Sequence, residues 1–232
     1  MDESLIEKQN GNFANTVLGA VPSVVYNEDC VEGLKRFSDN YFDLAIVDPP
    51  YGINAANMNL GKGGGVARHN DHTKKDWDKQ VPTSKYWEQL FRVSKNQIVW
   101  GGNYYDLPKT NGWVIWKKMD ISNDFNPIEM AWTSNLKMGF FDFLWAGMWQ
   151  ENMKDKEKRI HPTQKPKQLY KWILQRYAKE GDLILDTHVG SGSSRLACSE
   201  LKFSFTGFEI DQEYYEKQEK RFKDFVSQLR MF

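Results

Sequence analysis

Asp48-Pro49-Pro50-Tyr51 closes the apolar run Asp43-Leu44-Ala45-Ile46-Val47 and so should leave the carboxyl end of a buried strand, where open α/β sheets bind ligands. Each proline fixes its own φ, lacks an N–H and drives the residue before it toward an extended backbone. The turn is therefore stiff, and its outward acceptors have no donors beside them. A carboxylate, one or two carbonyl oxygens and a phenol ring are presented together. That set suits an aromatic amine, a poor nucleophile because its lone pair is delocalised into the ring. If the Asp48 carboxylate and the Pro49 carbonyl accept its two N–H bonds, the nitrogen can pyramidalise. The positive charge that develops during attack then meets fixed dipoles. Tyr51 can stack on the ring. A base in a duplex would have to flip out to reach such a pocket, at a cost of about a few kcal/mol. The same residues also make an ordinary proline turn with an exposed tyrosine, so the tetrapeptide alone leaves both readings open.

A second apolar run, Leu183-Ile184-Leu185, leads into Asp186-Thr187-His188-Val189-Gly190-Ser191-Gly192-Ser193-Ser194. Glycines at a strand-to-helix turn let the backbone approach a ligand closely and leave N–H groups free at a helix start. No lysine follows as in a P-loop, and the longer GxGxxG spacing is absent, so a nucleotide phosphate is a poor ligand for this turn. About twenty residues on, Phe208-Glu209-Ile210-Asp211 ends the next run in acid, where Glu209 can hold a ribose diol or cap a helix. His161-Pro162-Thr163-Gln164-Lys165-Pro166 precedes the helix that returns to the glycine strand. Lys165 can meet a carboxylate, and Thr163 and His161 offer hydrogen bonds. The segment reads equally as a capped helix start with Pro166 in its first turn.

The elements that must position these residues alternate in the manner of an α/β fold. Strands are expected at Val24 to Asn27, Phe42 to Val47, Gln97 to Trp100, Gly112 to Trp116, Glu129 to Thr133, Asp182 to Leu185 and Phe203 to Phe208, about seven in all. Helices fit Ser84 to Val93, Lys165 to Lys179, Ser193 to Leu201 and Gln212 to Leu229, and a further one opens at Asp29, with Glu32 completing a capping-box pattern. The last helix places Tyr215, Gln218, Phe222, Phe225, Val226 and Leu229 on one face. Gly52 to Thr83 has no such pattern, and so long a stretch inside a compact domain reads as a mobile functional loop.

At 232 residues the chain is long enough for one well-buried domain and short for two, and 1–232 is read as one. Its 31 basic and 31 acidic residues cancel, so contact with a polyanion must come from a local patch. Cys30 and Cys198 show no metal or disulfide spacing, which fits a reducing, cytoplasmic setting and no metal site. Asp2, Glu3, Glu7 and Lys8 argue against a signal peptide, and nothing approaches the roughly 18 apolar residues that span a bilayer. Trp100, Trp113, Trp116, Trp132, Trp145 and Trp149 are read as core.

Taken in order, Asp48 to Tyr51, His161 to Pro166 and the Asp186 to Ser194 turn resemble the amino-methyltransferases of the β class, which act on adenine N6 or cytosine N4 of DNA. In that family the catalytic tetrapeptide precedes the cofactor glycines in a circularly permuted chain. The resemblance spans roughly Val24 to Gln218. It implies a Rossmann-like, seven-stranded methyltransferase sheet with helices on both faces and a reversed hairpin near one edge. It also implies S-adenosylmethionine as the cofactor and a DNA base as the substrate. By resemblance Asp48, Pro49, Pro50 and Tyr51 activate the amine, and Asp48 also borders the cofactor. Asp29 and Cys30 meet the cofactor adenine, Cys30 through its backbone. Asp186, Gly190, Ser191, Gly192 and Ser193 cradle the methionine part, Glu209 holds the ribose, and His161, Thr163 and Lys165 close the site. The family commonly has Pro-Phe where this chain has Thr187-His188, so His188 is expected to substitute as a neutral packing group.

DNA contacts are expected from Lys62, Arg68, Lys74 and Lys75 in the long loop, and from Lys154, Lys158 and Arg159 before His161, although nearby acids dilute both clusters. A short segment, 136–158, is the candidate target-recognition element. DNA is the expected partner, and a homodimer is allowed for. Asp48 rather than Ser at the first tetrapeptide position tilts the reading from cytosine N4 to adenine N6. Neither cysteine follows a proline, which disfavours a cytosine C5 enzyme. A catalytically silent DNA-binding protein of the same fold is the remaining alternative.

Overall fold

A computed structural model of the chain describes residues 21–53, 81–118, 126–134, 136–146, 149–154 and 156–229. Lys62, Arg68, Lys74, Lys75 and most of the expected loop lie outside these residues. The strands are β1 (Ser23–Tyr26), β2 (Phe42–Val47), β3 (Ser94–Trp100), β4 (Trp113–Lys117), β5 (Ile128–Thr133), β6 (Gly139–Asp142), β7 (Trp145–Ala146), β8 (Trp149–Gln150), β9 (Leu183–Asp186) and β10 (Ser204–Phe208). The helices are α1 (Cys30–Leu34), α2 (Ser84–Val93), α3 (Lys167–Tyr177), α4 (Ser193–Glu200) and α5 (Gln212–Leu229).

Eight strands form one sheet in the order β1-β10-β9-β2-β3-β5-β4-β6. The first five are parallel, so their carboxyl ends share one edge. β5 runs against both β3 and β4, which gives the reversed hairpin. The eighth strand, β6, was not expected: four residues, Gly-Phe-Phe-Asp, carry too short an alternation to stand out, and pairing with β4 decides their state. From β2 the chain proceeds through α2 to β3 on one side, and from β9 through α4 to β10 on the other. The seam between β2 and β9 is thus a topological switch point, where such sheets open a crevice.

Both faces of the sheet are covered, as the continuous apolar runs require. On one face Leu34 of α1 and Tyr86, Leu90 and Val93 of α2 join Phe42, Ala45, Val47 and Leu185 in one cluster. On the other, Leu169, Ile173 and Leu174 of α3 and Ala197 of α4 join Leu44, Ile46, Ile98 and Ile184.

Three local expectations are corrected. Asp29 does cap α1, its Oδ1 accepting from Val31 N at 2.7 Å and Glu32 N at 3.3 Å, but the Glu32 carboxylate pairs with Lys35. Pro166 is the extended N-cap of α3 and not part of its first turn, so Lys165 stands outside the helix. Trp149 is no core residue: it is 62 % exposed on the two-stranded ribbon β7–β8, whereas Trp100, Trp116, Trp132 and Trp145 are buried. Trp113 is half-buried.

Candidate active site

Asp48 follows β2 at the switch point, and both of its carboxylate oxygens are engaged. Oδ1 accepts from the Tyr51 hydroxyl at 2.6 Å, and Oδ2 meets Lys165 Nζ at 2.5 Å. Lys165 is buried and also reaches Glu129 Oε2 at 3.2 Å, and Glu129 in turn meets Lys118 Nζ at 2.6 Å. Two ammonium groups and two carboxylates therefore alternate in a neutral chain across β2, β5 and the segment before α3. Burial would raise the Glu129 carboxyl, but Lys165 and Lys118 outweigh it and bring its pKa to about 2. Burial would likewise lower Lys165, and Asp48 and Glu129 reverse the sign, so it stays a cation.

The turn's carbonyls are not bare, as its sequence suggested. Tyr105 donates its hydroxyl to Pro49 O at 2.7 Å and Pro50 O at 3.0 Å. Local donors are indeed missing from a Pro-Pro turn, and tertiary structure brings one from beyond β3. A carboxylate offers about four acceptor sites and a carbonyl two, so room is left for an incoming N–H. The Tyr51 ring stacks on Tyr104, with centroids 5.0 Å apart and planes 12° apart. Gly101, at φ +67°, lies so close that a Cβ would come 2.3 Å from Tyr51 Cε1.

Along the same edge, β9 delivers Asp186 and β10 delivers Glu209. Asp186 is buried, accepting from His188 N at 3.0 Å and Ser194 Oγ at 2.5 Å, and burial lifts its pKa to about 7. Glu209 binds Gly190 N at 2.8 Å and Asp211 N at 2.9 Å, tying the glycine turn to the end of β10. Gly190 and Gly192 take positive φ, as the turn requires. Ser191 and Ser193 share a hydroxyl contact at 3.1 Å, and Arg221 braces both. His161 pairs with Thr163 Oγ1 at 3.1 Å, and its ring lies beside Gly190. His188 packs edge-on to Tyr86, and burial lowers its pKa to about 4, so it is neutral at physiological pH. Burial, then Asp29, pushes the Cys30 thiol up to about 12, which leaves no thiolate there.

Lys165 therefore belongs to the Asp48 half of the site. Asp29, Cys30 and Glu209 line the ends of β1 and β10, with Asp186 and the glycine turn next to them. Among the DNA-contact candidates, Lys154 and Lys158 are exposed, while Arg159 turns inward over the Trp145 ring at 4.5 Å, with Nε and Nη2 lacking partners among the described residues. Glu129, Lys118, Tyr104 and Tyr105 were missed by sequence reasoning. For Glu129 a signal existed, because a lone acid inside the apolar run Ile128–Thr133 needs a buried cation. No group of residues with metal-ligand geometry occurs among the described residues.

The model of the family described as DNA methylase matches residues 109–220. This chain is 27 % identical over 236 residues to the type II methyltransferase M.HpaI of Haemophilus parainfluenzae, covering 83 % of this chain and 72 % of that protein. By this match and these relatives the chain is similar to the N6/N4 DNA methylases. The type II methyltransferase M.HinfI of Haemophilus influenzae is 26 % identical over 265 residues, spanning 94 % of this chain and 71 % of its own. Among solved structures, the M1.HpyAVI–SAM complex superposes with a TM-score of 0.54 at 19 % identity, covering 85 % of this chain and 98 % of that one. The PvuII DNA methyltransferase, described as cytosine-N4-specific, gives 0.59 at 14 % identity, with 88 % and 87 % covered. These structures share the fold of this chain.

Proposed function

We propose that this chain transfers a methyl group from S-adenosylmethionine to N6 of a flipped adenine in DNA. The observation that carries the reading is Asp48 at the β2/β9 switch point, its carboxylate held by Lys165 and Tyr51 beside the glycine turn. The residues along that edge fit the cofactor. Asp186 is a carboxyl that burial lifts to about 7, and the cofactor's charged methionine end would supply a cation beside it. Gly190 leaves a Cβ-sized space bounded by His161 at 3.7 Å, and the Glu209 carboxylate is of the acceptor type that ribose hydroxyls need. When bound, S-adenosylmethionine supplies an electrophilic methyl group on a sulfonium.

The chain's own residues do the rest by positioning and electrostatics. Asp48 and the Pro49 carbonyl accept the amine N–H bonds, which frees the nitrogen lone pair and stabilises the charge that grows on it. Lys165 holds the Asp48 carboxylate in place, and Glu129 balances the charge of Lys165. Tyr51 stacks on the base. Tyr51, stacked on Tyr104 in the free protein, exchanges that partner for the base, a stack of about 1–3 kcal/mol. After transfer the methylated nitrogen is cationic and strongly acidic, and it gives one N–H proton to water, so no separate general base is needed.

The test is single-molecule sequencing of DNA from cells expressing the chain, with Asp48→Ala as control. Modified adenine in a fixed context that vanishes in the variant is expected. Modified cytosine would move the assignment to N4, and modification that persists in the variant would overturn the role of Asp48.

A further inference from the structure

The ribbon β7–β8 stands beside the Asp48 network. Trp145 N donates to Lys118 O at 2.8 Å, and its indole donates to Gln164 O at 2.8 Å. Lys118 is the partner of Glu129, and Gln164 precedes Lys165. Next to the ribbon, Gln150 and Glu157 exchange two bonds of 2.9 Å. A pair of two-residue strands has little intrinsic stability, and these contacts fix its foot to the site.

Its outer surface is aromatic and cationic. Trp149 is 62 % exposed and Met153 44 %, and Lys154, Lys156 and Lys158 are exposed as well. Two of the acids that dilute this cluster in sequence are occupied. Glu157 turns inward, with one oxygen on Arg221 at 2.6 Å and the other on Lys167 N at 2.9 Å, and Glu151 accepts from Leu144 N at 3.1 Å. Asp155 lies outside the described residues. A large exposed indole near lysines, on a foot hydrogen-bonded to Lys118 and Gln164, matches the chemistry of a stacked base flanked by phosphates.

We infer that Trp149 is a wedge that enters the target duplex beside the flipped base, with Lys154, Lys156 and Lys158 on the flanking phosphates. This inference rests on the methyltransferase reading above. Inserted, the indole fills the gap in the stack and offsets part of the cost of opening it.

Methylation is measured on a duplex of the context marked in cells, and on the same duplex with the target base opposite an abasic site. On the paired duplex Trp149→Ala should lower kcat/KM by about tenfold or more, with Trp149→Phe retaining most of the activity. On the abasic duplex, where the base leaves the stack cheaply, the alanine variant should come within about threefold of wild type. Melting temperature and cofactor affinity should match wild type in both variants. The salt dependence of DNA binding should be unchanged in Trp149→Ala and flatter by about one unit in Lys154→Ala or Lys158→Ala. Wild-type rates for Trp149→Ala on the paired duplex overturn the wedge, and so does an equal loss on both duplexes. If expression of the wild-type chain marks no DNA, the methyltransferase reading has failed and the wedge fails with it.

Discussion

Lys165 sits between two carboxylates, and the balance of those two attractions governs how firmly it holds Asp48. In Glu129→Gln the cluster gains a net positive charge, Lys165 binds Asp48 alone, and the carboxylate is less free to accept an amine. Single-turnover methyl transfer should slow by about tenfold or more while cofactor affinity stays within about threefold. The alkaline limb of the pH–rate profile should also move to lower pH, because Lys165 loses a carboxylate that raises its pKa. An unchanged rate and profile would show that Glu129 only supports the fold. Asp186 yields a second prediction. Its folded pKa of about 7 is raised, so its contribution to stability is complete below about 4 and is lost as pH rises through 7. Cofactor binding selects the ionised form, so affinity should rise between about pH 6 and pH 8, and titration calorimetry should detect proton release. Asp186→Asn should show neither effect.

The turn that ends β3 sets the position of Tyr51. Gly101 occupies the left-handed region, and a Cβ there would lie 2.3 Å from the tyrosine ring. Gly101→Ala should therefore cost about 1–2 kcal/mol in backbone strain. It should also push Tyr51 off its hydrogen bond with Asp48. The expected outcome is a folded protein, by circular dichroism, whose cofactor affinity is retained and whose methyl transfer falls by about tenfold or more. Retention of full activity would mean that Tyr51 need not hold its present place. The turn, the ribbon and the start of α3 share a feature: each is fixed by contacts to other elements more than by its own residues.

For the whole molecule, His188 links stability to pH. Its folded pKa of about 4 lies below the ordinary 6.5, so the unfolded chain binds the proton more readily. The contribution is complete above about pH 6.5 and is lost as pH falls toward 4. Asp186 acts in the opposite sense over much of that window. His188→Phe should therefore make stability fall less on acidification, as read by denaturant midpoints at pH 7 and pH 5. An identical fall in both proteins would show that His188 is solvated in the folded state. Asp48, Lys165 and Glu129 come from three separate stretches of chain, so the sheet order is what assembles them.

Asp48 to Tyr51, the glycine turn and Glu209 were legible in the sequence because each is a local pattern at the end of an apolar run. Those runs also specified the parallel core, since a strand buried on both faces must be continuously apolar. The partners of Lys165 were not legible: Asp48 lies 117 residues away, and only the register of the reversed hairpin aligns Glu129 with it. The donor that covers the Pro49 carbonyl likewise arrives from 56 residues away. Trp145 and Trp149 are the same residue type four positions apart, and nothing local separates a buried indole from an exposed one. Types and local spacing marked the candidate groups and the strand ends that carry them. Tertiary structure decided which of them share a charge, which are neutral and which face the outside, because burial and pairing depend on neighbours that sequence order does not show.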